Sequence, residues 1–344
     1  MNKKNQQMNP IALRVDVSKN IGFGHIKILI ELKNRLKHNK FFWLIGGDIK
    51  IIKDLFKKNN FIFVKNENQA LKFIKKNNIK KVIIDISHNI NLINNKISKI
   101  QNKYLENNIK LISFDHPYQK IISHISIIPY FFDKKKIKKN KNSKLFLGPD
   151  FFLHNIVENR SYTKNIKNIL IVVSGTDPKN IGFKIYNMIK DLNYNFKVIL
   201  GENYENIKKN NLNKKVKNLI LLKRSKNINK EFSWSDIVIC GEGHIKYEAI
   251  FANKPLIIAH QFNYKDILIN EFLKLNICLS IGKFTIQRKE YIKSKIKKYI
   301  TNKKKITIHR NNTKKLFNKL KMSKKIELMI CLLYTSDAAD DSLR

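Results

Sequence analysis

The chain alternates between short runs of β-branched residues and longer amphipathic stretches, and this alternation constrains its fold more than any other feature. Each short run has the length of a buried strand, and each longer stretch has the period of a helix. The expected strands are 11–17, 41–45, 61–64, 81–86, 110–114, 125–129, 168–173, 196–200, 219–222, 237–240 and 256–259. Strands that alternate with helices form crossover units, so the sequence predicts an α/β fold with parallel sheets.

The length of the chain and a break in this pattern indicate two domains. The 344 residues exceed one ordinary domain and suit two domains of about 150 residues each. A Lys-rich run at 134–144, which we interpret as a solvated linker, precedes the second series of strands. We expect Rossmann-like domains over 1–145 and 146–330. Residues 331–344 contain no Lys, Asn or Ile, unlike the rest of the chain, and we interpret them as a non-native tail.

The net charge of +43, from 69 Lys and Arg against 26 Asp and Glu, is the most extreme feature of the composition. The positive residues are almost all Lys and are spread along the chain, as in the product of an AT-rich coding sequence. Proteins that bind nucleic acid usually concentrate Arg and aromatic side chains on one element, and the sequence has no such stripe. We therefore expect no specific nucleic-acid partner, although the charge implies a general attraction to polyanions and anionic membrane surfaces.

Other features of the sequence narrow the location and the chemistry. No stretch approaches the roughly 18 consecutive apolar residues of a membrane span. Residues 1–10 are polar and lack the apolar run of a signal peptide. The cysteines, Cys240, Cys278 and Cys331, have neither metal-binding nor disulfide spacing. We expect a cytoplasmic monomer that uses no metal and no cofactor.

Ligands of open parallel sheets bind beyond the carboxyl ends of the strands, and four loops at such positions carry glycines or polar side chains. The first loop runs from Arg14 to His25. Gly22 and Gly24 allow a tight turn that brings backbone N–H groups near a ligand. His25 opens a helix, whose positive end favours the neutral imidazole that a general base requires. The alternative is that the glycines only shape the turn and that His25 caps it.

The second loop, Ser-Gly-Thr-Asp-Pro at 174–178, joins a strand to a helix of the C-terminal half. The backbone of Gly175 and the hydroxyl of Thr176 can hold a phosphate or a sugar at the start of the helix. Asp177 as the N-cap and Pro178 in the first turn are explained by helix capping alone.

The third loop, Gly-Glu-Gly-His at 241–244, also joins a strand to a helix. Gly243 at the helix start offers an anion site for a diphosphate. Glu248, over one turn into the helix, can bind the ribose hydroxyls of a nucleotide. The alternative is that Glu248 pairs with a surface lysine such as Lys246 or Lys254.

The fourth loop follows the strand that ends near residue 259. Gln261 and Asn263 can bind sugar hydroxyls or amides, or can belong to an ordinary polar loop. His88 and His116 also follow strands and could line the same cleft. The remaining histidines that we interpret as surface or packing residues are His38, His124, His154 and His309.

Together and in this order, the loops resemble one family. The motifs are Arg14-x-Asp16, Ile21-Gly-x-Gly-His25, Leu147-Gly-Pro-Asp150, Ser174-Gly-Thr-Asp-Pro178 and Gly243-x-x-x-Tyr247-Glu248 followed by Pro255. They resemble those of UDP-2,4-diacetamido-2,4,6-trideoxy-β-L-altropyranose hydrolase, the nucleotide-sugar hydrolase of pseudaminic acid synthesis. The wider group includes spore-coat polysaccharide proteins and the UDP-GlcNAc transferase of peptidoglycan synthesis. The resemblance covers residues 12 to 281 approximately.

The resemblance implies a glycosyltransferase-B-like architecture of two Rossmann-like domains. In that scheme the C-terminal domain holds UDP, and the N-terminal domain supplies the sugar pocket and a catalytic histidine, here His25. Water attacks the anomeric carbon, UDP leaves, and no metal is needed. By position, Gly243 would hold the diphosphate and Glu248 the ribose. The expected substrate-contacting residues are Arg14, Asp16, Gly22, Gly24, Asp85, Gly175, Thr176, Gly243, His244, Glu248 and Gln261.

Three departures from the family pattern keep other functions open. The Arg usual three residues after the catalytic histidine is Ile28, and the Gly-Gly-Ser-Thr of the phosphate loop is replaced by 242–245, Glu-Gly-His-Ile. The usual Asp-x-Tyr reads Asp85-Ile-Ser87. The alternatives are a related glycosyltransferase that uses a UDP-sugar donor, and a non-catalytic protein that binds polyanions through its charge.

Overall fold

The computed structural model describes residues 10–18, 21–36, 40–56, 61–86, 96–158, 165–177, 179–201, 218–223, 225, 227–260, 266–284, 287–319 and 327. These residues form two compact units, and the chain passes from the first to the second between Leu153 and His154. The interpretation of 331–344 as a tail lies outside the described residues.

The first unit is built on a seven-stranded sheet in which every pair of neighbouring strands is parallel. Its strands are β1 (Ile11–Val17), β2 (Phe41–Gly47), β3 (Phe61–Phe63), β4 (Lys81–Asp85), β5 (Lys110–Phe114), β6 (Ile125–Ile128) and β7 (Lys144–Leu147). They lie in the order β3-β2-β1-β4-β5-β6-β7. The helices are α1 (Gly24–Arg35), α2 (Ile49–Leu55), α3 (Glu67–Lys76) and α4 (Lys96–Leu105).

The second unit repeats this plan with a six-stranded parallel sheet. Its strands are β8 (Asn168–Val172), β9 (Asn195–Ile199), β10 (Leu219–Leu222), β11 (Ile237–Gly241), β12 (Leu256–His260) and β13 (Cys278–Lys283), in the order β10-β9-β8-β11-β12-β13. The helices are α5 (Ile181–Ile189), α6 (Ile228–Trp234), α7 (Ile245–Phe251), α8 (Asp266–Lys274), α9 (Lys289–Thr301) and α10 (Lys303–Lys319).

Each sheet packs helices against alternate residues of its central strands. In the second unit, Ile169 and Ile171 of β8 lie in one apolar cluster with the buried face of α5. In the first unit, Val82 and Ile84 of β4 cluster in the same way with α3 and α4. The intervening residues of these strands are also buried, so the strands read as nearly continuous apolar runs. This is why short β-branched runs were enough to predict parallel sheets, and the predicted α/β class is confirmed.

The structure corrects several boundaries. Lys144–Leu147 is strand β7 rather than the end of a linker, and Cys278–Lys283 forms a strand that the sequence analysis missed. Both lie at the edge of a sheet, where a strand needs fewer apolar residues because one of its sides has no strand neighbour. Helix α5 begins at Ile181 rather than near 179, because Asp177 and Asn180 adopt left-handed backbone conformations that precede the helix.

Candidate functional site

The strand order of the first sheet identifies where a ligand would bind. Chain progression along the sheet reverses between β1 and β4, which pair in parallel with Val15 opposite Asp85. Loops that follow two such strands lead to opposite faces of the sheet and leave a crevice between them. The loop after β1 leads to His25, and Asp85 is the last residue of β4. The reversal point therefore carries both residues.

His25 and Asp85 form a buried hydrogen-bonded pair at this point. Nδ1 of His25 lies 3.0 Å from Oδ1 and 3.1 Å from Oδ2 of Asp85. The residues are 7% and 1% exposed. A carboxylate in this position accepts the Nδ1–H and fixes the tautomer whose lone pair is on Nε2. It also stabilises the imidazolium that forms when Nε2 takes a proton, so the pair has the chemistry of an oriented general base.

The turn before His25 is shaped by glycine, as the sequence predicts. Gly22 has a φ of 82°, which a residue with a side chain rarely adopts. Its N–H donates to the carbonyl oxygen of Ser18 at 2.9 Å. Gly24 is the first residue of α1, so His25 is the second, and the N-cap position is Phe23. His25 therefore does not cap the helix, so the capping alternative is wrong, and the catalytic role of His25 stays a prediction.

Arg14 and Asp16, both expected to contact substrate, belong to a buried charge network. The guanidinium of Arg14 donates to Glu67 through Nε at 3.1 Å and Nη2 at 2.5 Å, and to Asp16 through Nη1 at 2.5 Å. Tyr104 donates its hydroxyl hydrogen to the same Glu67 carboxylate. Burial lowers the pKa of Arg14, but the charges of Glu67 and Asp16 raise it more, so the guanidinium stays charged. Contact of Arg14 and Asp16 with substrate stays a prediction.

Gly46 of β2 leaves the space that this network occupies. A Cβ atom at Gly46 would lie 2.4 Å from Oδ1 of Asp16 and 3.3 Å from Nη1 of Arg14. A side chain at position 46 would therefore displace the ion pair. Neither Gly46 nor Glu67 was singled out from the sequence, although Glu67 directly follows a helix cap residue, Asn66.

A second buried carboxylate, Asp115, lies at the carboxyl end of β5, the strand next to β4. Its oxygens accept hydrogen bonds from Gln101, Ser113, Gln119 and Ser126. Burial raises the pKa of Asp115 against the effect of these bonds, and the charge of Asp85 adds to the rise. His116, which follows Asp115, is also buried. The sequence analysis named His116 but not Asp115, whose hydrogen-bond donors are spread over residues 101 to 126.

The second sheet has the corresponding reversal between β8 and β11. The loop after β8 contains an exposed Gly175 and a buried Thr176. Asp177 caps α5 as predicted, but from four residues upstream: its carboxylate accepts from the N–H groups of Ile181 at 2.9 Å and Gly182 at 2.8 Å. The role assigned to Asp177 is confirmed, while its position as the N-cap residue is wrong.

The loop after β11, residues 242–244, lies beside open space. A Cβ atom placed at Gly243 would meet no atom of the described residues within 4 Å. The Glu242 side chain is buried, and its charge contributes to a raised pKa of Asp177, an effect due mainly to burial. The Glu242 carboxylate is therefore close enough to Asp177, in the neighbouring loop, for their charges to interact. A carboxylate that pointed into the open space would repel a diphosphate, whereas the Glu242 side chain is buried.

The two lysines proposed as surface partners of Glu248 are buried. Lys246 donates to the carbonyl oxygen of Glu242, and its Nζ lies 4.9 Å from the centre of the Tyr247 ring. Lys254 donates to the carbonyl oxygen of Ser235 at 2.6 Å. His244 and Glu248 are half-buried at the start of α7. Gln261, His88 and His38 lie outside the described residues.

Among the described residues, no group of three or more His, Cys, Asp or Glu side chains could hold a metal ion. None of the helices there is long and apolar enough to cross a membrane. Cys240 and Cys278 are buried free thiols, and burial raises the pKa of Cys278 to about 12.

The comparison with known sequences gives one distant relative, and no protein-family model matches. An uncharacterized protein of Methanocaldococcus jannaschii is 27% identical over 289 residues, which cover 77% of this chain. The match covers 58% of the length of that relative, so the chain spans little more than half of it.

Solved structures resemble the chain over nearly its whole length. A glycosyltransferase of kitacinnamycin has a TM-score of 0.64 at 9% identity and covers 94% of this chain and 98% of its own. MurG of Acinetobacter baumannii has a TM-score of 0.62 at 11% identity, covering 89% and 95%. The UDP-GlcNAc 2-epimerase of Neisseria meningitidis, bound to UDP-GlcNAc, has a TM-score of 0.56 at 13% identity, covering 94% and 99%.

The chain has the glycosyltransferase-B fold. Its two Rossmann-like units, each with the reversal in strand order described above, account for this likeness. At these identities the likeness concerns the fold alone.

Proposed function

We propose that the protein is a nucleotide-sugar hydrolase whose general base is the His25–Asp85 pair. The observation that carries the proposal is the placement of this oriented imidazole at the strand-order reversal of the first sheet. The structural neighbours support the substrate class, since they are named as glycosyltransferases and as a UDP-GlcNAc 2-epimerase bound to UDP-GlcNAc. The substrate we propose is a UDP-linked 2,4-diacetamido-2,4,6-trideoxyhexose of pseudaminic or related nonulosonic acid synthesis.

In the proposed reaction, Nε2 of His25 takes a proton from water as the water oxygen bonds to the anomeric carbon. The bond between that carbon and the phosphate oxygen breaks, and UDP leaves with the bonding electron pair. Asp85 keeps the imidazole in the required tautomer and balances the charge of the imidazolium. The proton is returned to solvent or to the leaving diphosphate, which completes the cycle without a metal.

The second unit would bind UDP in this proposal. The open space beside Gly243 admits a diphosphate close to the backbone, and the inward position of Glu242 removes an obstacle to it. Glu248, one turn into α7, would bind the ribose hydroxyls. Gly175 and Thr176 lie on the neighbouring loop and would contact the phosphate or sugar.

A related glycosyltransferase is the second candidate, and the names of the structural neighbours favour it. The same base would then deprotonate an acceptor hydroxyl instead of water. Incubation with a UDP-sugar and no acceptor separates the two. A hydrolase releases UDP and free sugar in equal amounts, whereas a transferase releases neither at a comparable rate.

The decisive experiment measures UDP release by wild-type protein and by His25→Ala and His154→Ala variants. Loss of a general base costs about a hundred- to ten-thousandfold in turnover. His154 is a suitable control because it belongs to the second unit, where its ring stacks on Phe251 at 4.0 Å. We expect His25→Ala to lose turnover and keep the rise in melting temperature that UDP causes. Wild-type turnover in His25→Ala would refute the assignment, and absence of any UDP-induced shift would refute the substrate class.

A further inference from the structure

A turn at residues 116–119 presents an exposed aromatic side chain at the carboxyl edge of the first sheet. The turn follows β5, which ends at Phe114, and its residue Tyr118 is 46% exposed. A single exposed aromatic residue is common on protein surfaces and needs no function by itself. Tyr118 calls for an explanation because its turn is held rigidly and because it lies at the sheet edge that carries His25 and Asp85.

The backbone of the turn is fixed in several ways. The N–H of Gln119 donates to the carbonyl oxygen of His116 at 3.2 Å, which closes the turn. Pro117 occupies the second position, where its restricted φ is favoured. The side-chain amide of Gln119 donates to the carboxylate of Asp115, which directly precedes the turn. A ligand that binds Tyr118 therefore meets a preorganised residue, and little conformational entropy is lost on binding.

Asp115 anchors this turn in the interior of the first unit. The residue is 1% exposed, and its carboxylate accepts hydrogen bonds from Gln101 at 2.9 Å and from Ser126 at 2.6 Å, as well as from Ser113 and Gln119. A buried carboxylate is costly unless such donors satisfy it. No step of the proposed reaction uses Asp115, and its contacts show that it joins the turn to α4, β5 and β6.

Two other aromatic rings contact Tyr118 from the protein side. The centre of the buried His116 ring lies 4.9 Å from that of Tyr118, with an angle of 34° between the planes. The half-buried Phe132, from the segment after β6, lies 5.5 Å away at 87°. Rings at these distances attract one another and restrict the motion of Tyr118. We call His116, Tyr118 and Phe132 the aromatic platform.

The aromatic platform lies at the same sheet edge as the candidate base. Asp85, which bonds to His25, ends β4, and the next two strands along the sheet are β5 and β6. Neighbouring strands lie about 4.8 Å apart, so these strands end about 5 and 10 Å from the end of β4. Burial mainly raises the pKa of Asp115, and the nearby charge of Asp85 adds to the rise. A substituted hexose with its anomeric carbon at His25 is long enough to extend to the loops after β5 and β6.

We propose that the aromatic platform binds the sugar of the substrate, with the Tyr118 ring packed against its methyl groups. This inference rests on the proposed function. A 2,4-diacetamido-2,4,6-trideoxyhexose carries a methyl group on each acetamido substituent and another at C6, where an ordinary hexose has hydroxyl groups. Burying these methyl groups against an aromatic ring removes them from water. Tyr118 is then a residue that selects this sugar over more polar hexoses.

The test separates binding of the sugar from binding of the nucleotide. Calorimetric titrations use UDP and the UDP-linked 2,4-diacetamido-2,4,6-trideoxyhexose, with His25→Ala as the parent so that the sugar is not hydrolysed. We expect Tyr118→Ala to weaken binding of the UDP-sugar about three- to tenfold and to leave binding of UDP unchanged. Tyr118→Phe keeps the ring and should bind the UDP-sugar as tightly as the parent does.

Tyr291→Ala is the matched control. Tyr291 is 47% exposed on α9 of the second unit, and its hydroxyl accepts a hydrogen bond from Lys295 at 2.9 Å. Its replacement should leave both affinities unchanged. With His25 present, Tyr118→Ala should raise KM for the UDP-sugar by about the same factor as the loss of affinity and change kcat less, because the ring contacts the sugar away from the reacting carbon.

The possible contrary results are distinguishable. UDP-sugar affinity that survives Tyr118→Ala would refute the aromatic platform and leave the proposed function intact. Equal weakening of UDP and the UDP-sugar, or a loss in Tyr118→Phe as large as in Tyr118→Ala, would refute packing of the ring on the sugar. Failure of the parent to bind either ligand would refute the substrate class and this inference with it. Circular dichroism verifies folding, and Tyr118→Gln replaces Tyr118→Ala if that variant does not fold.

Discussion

Glu67 is the main counter-charge of the buried Arg14 guanidinium, and replacing it with Gln isolates the value of that charge. Both side chains are less than one-tenth exposed, at 4% for Arg14 and 9% for Glu67. Removing one partner of a buried ion pair costs about 3–5 kcal/mol, because the other charge is left without compensation. Asp16 remains bonded to Arg14, which places the expected loss for Glu67→Gln near the lower limit, about 3 kcal/mol.

Urea denaturation monitored by circular dichroism measures this loss. Glu31→Gln is the matched control, since Glu31 pairs with Arg35 on the exposed side of α1 at 3.0 Å. An exposed pair of this kind contributes about 0.3–0.5 kcal/mol. A loss for Glu67→Gln no larger than that for Glu31→Gln would refute the reasoning. Such a result would mean that the Arg14 guanidinium is solvated well enough to need no fixed counter-charge. Arg14 would then be available to bind a ligand.

Three further predictions follow from the described contacts. Asp85→Asn should lower turnover of a UDP-sugar about a hundredfold or more while preserving the UDP-induced rise in melting temperature, because the base loses its orienting charge. Gly201→Ala should cost about 1–3 kcal/mol in urea denaturation, since its Cβ would lie 2.2 Å from the Thr176 backbone, whereas Gly243→Ala should cost less than about 0.5 kcal/mol. Burial and the nearby Lys305 lower the pKa of His309 from 6.5 to about 4. Between these two pH values the unfolded chain binds the proton and the folded chain does not, so the free energy of unfolding should fall as the pH is lowered from 6.5 toward 4. The fall should be smaller in His309→Gln. Equal pH slopes, equal glycine costs or unchanged Asp85→Asn turnover would each contradict the corresponding prediction.

Most of the fold could be predicted because its signals are local. Buried parallel strands such as Asn168–Val172 are short, β-branched and continuous, and they need no knowledge of their neighbours to be recognised. The edge strand Lys144–Leu147 was missed because its lysine-rich flank resembles a linker and its exposed side does not demand an apolar residue. Boundaries such as the start of α5 depended on left-handed residues that no periodicity reveals.

The site was only partly predictable because its contacts are remote in sequence. His25 was identified from its own loop, where glycines and a strand end give a local signal. Its bond to Asp85 depends on the pairing of β1 with β4, which the sequence does not state. Arg14 was assigned to substrate through the family resemblance, and its ion pair with Glu67 was not foreseen because Glu67 is 53 positions away.

The His25–Asp85 pair joins residues 60 positions apart. The intervening chain forms β2, α2, β3 and α3, and β4 can take its place beside β1 only after this long loop has closed, at an entropic cost. Catalytic competence should therefore be gained in a single late folding step rather than by degrees. In native-state hydrogen exchange, the denaturant dependence of exchange at the β1 and β4 amides should match the denaturant dependence of the loss of activity. Fraying of the outer helices should leave the activity unchanged.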